Sequence, residues 1–161
     1  NYAVAAVGTD YGFSCGALLL DALLNQYVPV YAYEFGDINP PNPLLPADPY
    51  MPLDDSHAIE LAYLYPTFHN VTLSVPPSSF TVSQQFLTQG LRADWTSFAR
   101  YGRPLNPRGA LWSRYNVAAH AFTEFVAPSQ QTNSGFFDYH NCSFWGPYLL
   151  SEAGLPPNTQ Y

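Results

Sequence analysis

The sequence predicts an α/β chain of few strands with flanking helices, carrying too little sheet to stand alone. Three observations point there. Residues 28–35, "VPVYAYEF", are a β-branched and aromatic run bounded by Pro29 and Gly36, which reads as a buried strand. Residues 121–126, "AFTEFV", alternate apolar and polar side chains as a second and final strand would. Residues 11–25, 81–101 and 137–150 read as helices. A doubly wound sheet normally has more than two strands, so this is part of an α/β unit and not a complete one.

In chain order, "YAVAAV" at 2–7 is apolar and fits a short strand or a helix end. "GTD" then reads as a turn, with Thr9 or Asp10 as the N-cap of the helix over 11–25. Leu19, Leu20, Leu23 and Leu24 supply its apolar face. After the first strand, residues 36–56 form a long proline-rich loop that delivers the chain to His57, and 58–65 form a short helix or turn. In "TVSQQFLTQGLRADWTSFARY", 81–101, the residues Phe86, Leu91, Trp95 and Phe98 fall near helical spacing. Arg92 and Asp94 lie off that stripe, and Gly102 ends the helix. A loop carrying Trp112 leads to the second strand, and the last helix contains Cys142 and Trp145.

The chain has 161 residues and a net charge of −7, which fits one domain or a piece of a larger one. A 47% hydrophobic content supports a core, and 11% charged residues argue against a disordered chain. Five basic residues cannot build a phosphate-neutralising patch, so nucleic acid is not an expected partner. No stretch reads as a signal peptide or as an apolar run long enough to span a membrane. The opening "NYAVAAVGTDYGF", without an initiating Met, reads as a processed or excised product. Two sequons, at Asn70 and Asn141, fit a secreted glycoprotein, and with scarce lysine and a cysteine pair they favour an oxidising compartment.

Three constellations could carry chemistry. His57, His69, His120 and His140 are widely spaced, no pair shows ligand spacing, and Cys15 and Cys142 are not in a CxxC, so no metal and no cofactor is expected. "GFSCG", Gly12 to Gly16, matches the G-x-S-x-G of a nucleophile elbow and would make Ser14 the nucleophile of a small self-contained hydrolase. However, "GTDY" separates the apolar stretch from Gly12 and puts Ser14 inside the helix, where a helical serine beside a cysteine is the plainer reading. His57 sits among Asp54, Asp55 and Glu60 after a strand and a long loop, where an α/β-hydrolase places its general base. The plainer reading there is a satisfied loop or core histidine. An imidazole suits the catalytic role because it titrates near neutrality and can both take and return a proton.

Six stretches in order resemble the C-terminal part of the type B carboxylesterase and cholinesterase family. "TDYGFSCGA" (9–17) resembles "TD-x-x-F-x-C-P-A", and "VPVYAYEF" (28–35) resembles the "PVYLYxF" strand. "DDSHAIELAYLY" (54–65) resembles "HGxEIPYVF", the segment holding the catalytic histidine. "DWTSFARYGRPLNP" (94–107) resembles "W-x-x-FAKTGxPN", and "LWSRY" (111–115) resembles the following "W-P-x-Y". "HNCSFWGPYL" (140–149) resembles "C-x-FW-x-x-x". Ala58 departs from the glycine after the histidine, and Gly16 stands where proline is common.

The resemblance implies the C-terminal part of an α/β-hydrolase fold over residues 1–161, a single segment. It implies a secreted carboxylic-ester hydrolase in which His57 is the general base and Glu60 supports the histidine loop. It also implies a disulfide between Cys15 and Cys142. The family's elbow serine, oxyanion-hole glycines and acid member lie upstream of these residues. The expected partners are therefore a small-molecule ester and the N-terminal portion of the same enzyme, without which the chain should be inactive. The alternative is a non-catalytic cholinesterase-like adhesion or binding module. Tyr50, Tyr63 and Phe68 could line a substrate gorge, though core packing is the favoured reading for them.

Overall fold

The computed structural model describes residues 2–41, 50, 54–65, 80–107 and 111–161. Phe68, His69 and the sequon at Asn70 lie outside the described residues. The chain folds into two compact units, Asn1–Ala32 with Ser113–Phe122 and Thr132–Tyr161, and Tyr33–Trp112 with Thr123–Gln131.

The first unit is helical. α1 (Tyr2–Thr9), a π-helical turn (Asp10–Ser14) and α2 (Cys15–Asn25) run on from one another. The strand-or-helix-end at 2–7 is thus a helix, and the turn expected at "GTD" is absorbed into it. The reason is a distant partner. Buried Asp10 accepts from Asn141 Nδ2 at 3.2 Å and pairs with His140 Nδ1 at 2.9 Å, from the other end of the chain. A wide turn in the helix at Asp10–Ser14 accompanies this pairing, and π-turns of this kind often accompany such special contacts. The buried face of α2 is Cys15, Leu18, Leu19 and Ala22, whereas Leu20 and Leu24 face outward, so the face lies further round the helix than expected.

α5 (Phe136–Tyr139) and α6 (Cys142–Glu152) replace the single terminal helix expected over 137–150. The break falls at Asn141, in the left-handed conformation that asparagine tolerates. Cys15 and Cys142 are disulfide-bonded, with 5.3 Å between their Cα atoms. Around the bridge lie Leu18, Ala22, Ala32, Tyr115, Phe122 and Phe136.

The segment Tyr2–Asn25 is a 24-residue helix long and apolar enough to cross a membrane by length and composition alone, contrary to the reading of the sequence. Core helices and signal sequences pass the same test. α1 buries none of its residues, whereas from Asp10 onward the Asp10 pair, the disulfide at Cys15 and buried Leu18, Leu19 and Ala22 hold the helix against protein.

The second unit holds a three-stranded sheet of order β1-β2-β3, with β1 (Tyr33–Phe35), β2 (Phe122–Val126) and β3 (Ser129–Asn133). β1 runs parallel to β2, with Tyr33 opposite Thr123 and Phe35 opposite Phe125. The strand expected over 28–35 is thus only three residues long. Its earlier half is held otherwise: Pro29 has no N–H, and the Val30 carbonyl accepts from Tyr115 N at 2.8 Å. Tyr33, Glu34 and Phe35 are partly exposed, and among the described residues β1 pairs on one side only, with β2. β3, polar throughout, was not expected; the two-residue connection through a cis Ala127–Pro128 bond returns the chain beside β2.

α3 (Leu61–Leu64) and α4 (Val82–Tyr101) are the helices of this unit among the described residues. α4 begins at a capping box, Thr81 accepting from Gln84 N and Gln84 accepting from Thr81 N. It ends at Gly102, whose φ of 69° a side chain would strain. Tyr33, Trp95, Trp112 and Phe125 pack with ring centroids 5.0–5.9 Å apart. The buried stripe of α4 is Gln84, Leu87, Leu91 and Asp94, so Phe86 and Phe98 lie outside it and Asp94 lies on it.

Asp94 is 1% exposed, and neither carboxyl oxygen has a partner of full hydrogen-bond geometry. Burial pushes its carboxyl up to about 6, with the amides of Gln130 and Asn106 opposing the shift. A folded-state value above the unfolded one means stability that is present below about pH 4 and lost as pH rises through 6. Asp94→Asn is therefore expected to raise the melting temperature at pH 8, by an amount corresponding to about 1–3 kcal/mol. The gain should vanish below pH 4 in a calorimetric pH series.

Candidate active site

His57 opens a run of consecutive turns that continues into α3. Ile59 N donates to Ser56 O at 3.1 Å, Leu61 N to Ala58 O at 3.3 Å and Tyr63 N to Glu60 O at 2.9 Å. The imidazole side of this turn is exposed, while Ile59 two residues on is fully buried. Ala58 sits at φ 70°, a conformation that glycine adopts without cost and alanine does not. The departure noted at this position therefore puts backbone strain beside the histidine.

Glu60 is half-buried and precedes α3, where its main-chain carbonyl accepts from Tyr63 and Leu64. Its charge acts on Tyr33, whose phenol is raised first by burial and then by Glu60. Asp54 and Asp55 are exposed. The Asp55 carboxyl is raised by partial desolvation and, more weakly, by Glu34, Asp54 and Glu124. The His57 turn is thus set in acidic surroundings. Gly36 lets Glu124 lie close against β1, since a Cβ there would come within 2.6 Å of Glu124 Oε1.

What fixes this turn was not read from the sequence. Tyr63, 0% exposed, stands between Phe35 and Phe80 with ring centroids at 5.0 and 4.8 Å, both edge-on. Its hydroxyl donates to Asp37 Oδ2. Gln84 Nε2 donates to the same Asp37 oxygen at 3.0 Å and to Asn39 O at 2.7 Å. Arg92 Nε donates to the carbonyls of Tyr63 and Leu64 at 3.0 and 3.1 Å, capping the end of α3. Burial first, and then the Asp37 acceptor, push the Tyr63 phenol far above its ordinary value, so it remains a donor throughout the working pH range. The one sequence signal was T-x-x-Q at 81–84, which marks a helix start but not the reach of Gln84 to Asp37.

Ser14 is the last residue of the π-helical turn in the first unit, half-buried, as expected of a helical serine. Tyr63 is core; Tyr50 is exposed. Asn141 is exposed and has its Nδ2 on Asp10. His140 is spent on Asp10, and His120 stacks on Phe137 at 4.5 Å with its imidazole lowered by burial against an opposing pull from Asp138. No group of three His, Cys, Asp or Glu able to hold a metal occurs among the described residues.

A sequence model of the carboxylesterase family matches residues 1–145. This protein belongs to the carboxylesterase family. At family level its activity is ester hydrolysis, and its substrates are esters. The family match spans both the disulfide pair and the His57 turn.

Proposed function

We propose that this chain is the C-terminal part of a serine carboxylesterase of the α/β-hydrolase fold, and that His57 is its general base. In the complete enzyme a serine from the N-terminal portion attacks the ester carbonyl. His57 takes the serine proton and returns it to the departing alcohol, and backbone N–H groups hold the oxyanion. A water then repeats the cycle on the acyl-enzyme. The observation that carries this reading is an exposed histidine on a turn locked from below by buried Ile59 and Tyr63, within a carboxylesterase-family chain. A base must be accessible and held in place, and the exposure of His57 above buried Ile59 and Tyr63 supports that reading.

Glu60 supports the histidine turn through its main-chain carbonyl, which accepts from Tyr63 and Leu64, and does not enter the chemistry. The disulfide and the sequons at Asn70 and Asn141 support export to an oxidising compartment, with the glycans carried on those asparagines. Among the described residues the sheet has three strands with β1 at one end, which supports an N-terminal portion completing the sheet as the protein partner. The test compares p-nitrophenyl acetate hydrolysis by the chain alone with hydrolysis by the complete enzyme. The chain alone should not exceed the rate of denatured chain. Saturable turnover by the chain alone would overturn the reading.

A further inference from the structure

The turn that bears His57 cannot hold itself. α3 is four residues long, far below the length at which a helix is stable alone, and Ala58 adds a left-handed backbone. Its position must be imposed from outside. The imposing groups are buried and converge: Tyr63, Asp37 and Gln84 are each at most 5% exposed. Together they tie α3 to the end of β1 and to the first turn of α4. Asp37 follows Gly36, whose N–H donates to Phe125 O at 2.9 Å, so the acceptor is itself fixed to the sheet.

We propose that the Tyr63 hydroxyl, held by Asp37 and Gln84, is a positioning group that fixes the place of the turn bearing the His57 imidazole. This rests on His57 being the general base. Tyr63 touches neither substrate nor nucleophile; it acts through the two turns of backbone between it and His57. What the frame needs at position 37 is an acceptor oxygen at that place, not a charge, because both donors converge on Oδ2.

The experiment is steady-state kinetics on the complete enzyme carrying Tyr63→Phe, which keeps both aromatic contacts and removes the hydroxyl. Misplacement of a base by a fraction of an ångström to an ångström costs about 10-fold to 10²-fold in kcat with KM little changed. Asp37→Leu should behave like Tyr63→Phe, and Asp37→Asn, which retains an acceptor, should recover most of kcat. A residue with a merely structural role would lower the melting temperature and leave kcat per folded molecule intact, and that result for Tyr63→Phe overturns the proposal. Should Tyr63→Phe fold poorly, Gln84→Met reads the same frame, with a several-fold loss of kcat supporting it and an unchanged kcat overturning it. His57→Ala run alongside separates the failures. If that variant keeps full activity the base reading falls and the positioning role with it; if it is inactive while Tyr63→Phe is at full kcat, only the positioning role falls.

Discussion

Alanine in place of His57 is expected to lower kcat/KM of the complete enzyme on the order of 10⁴-fold or more, with a far smaller change in KM. The loss is that large because the serine alcohol is a poor nucleophile until a neighbouring base takes its proton. The leaving alcohol also needs that proton back, so one residue is missed in two steps. The fold should not suffer. His57 is exposed at the head of its turn, and the anchors below it, Ile59 and Tyr63, are untouched. Circular dichroism and melting temperature should therefore match the parent within about 0.5 kcal/mol of stability. A variant with wild-type turnover would remove His57 from the mechanism. Glu60→Gln should cost far less than His57→Ala, since its charge is felt at Tyr33 and its backbone, not its side chain, closes the turn into α3.

Loss of the Cys15–Cys142 bridge is the second large effect expected. The bridge closes a sequence separation of 127 residues. In the chain-entropy account a loop of that length is worth about 5 kcal/mol, at least about a third of the stability of a typical domain. Both sulfurs lie in the buried core of the first unit beside Leu18, Ala22 and Phe136. Replacing both cysteines by alanine adds the cost of lost packing to the lost constraint. The double variant should melt far below the parent, or fail to accumulate folded, in a urea titration read by tryptophan fluorescence. Addition of dithiothreitol to the parent should move it toward the same midpoint. Coincident midpoints for parent, reduced parent and double variant would contradict a structural role for the bridge.

The elements that local pattern could reveal are those whose partners are near in sequence. α4 is legible because its cap, its apolar spacing and its terminal glycine all lie within one segment, 81–102. β2 is legible because "AFTEFV" is a short β-branched and aromatic run, although its burial does not alternate strictly. The helix over Asp10–Ser14 is not, because what holds Asp10 is His140, 130 positions away, and "GTD" looks like a turn to any local rule. β3 is illegible for a different reason. "SQQTN" has little intrinsic preference for a strand, and its pairing comes from following β2 after two residues. Asp94 shows the same limit inside a well-predicted helix. A lone acid is placed outside an apolar stripe by default, whereas Asp94 is buried on it and that burial raises its carboxyl.

At the candidate site His57 is singled out in the sequence by its acidic neighbours and the segment around it, and its role as the base is a proposal. Its support could not, since Asp37, Tyr63 and Gln84 are far apart in sequence and each looks ordinary alone. "GFSCG" shows how the same local reading can mislead. It matches a nucleophile elbow, yet its serine ends a π-helical turn and its cysteine makes the disulfide.

A serine-directed fluorophosphonate tests most directly the proposal that this chain supplies a base and no nucleophile. The chain is incubated with the probe and its intact mass is read without reduction. The account predicts one unmodified species at 17.9 kDa with Cys15 and Cys142 still joined. A stoichiometric adduct on this chain, mapping to Ser14, would contradict it and make the protein a hydrolase in its own right.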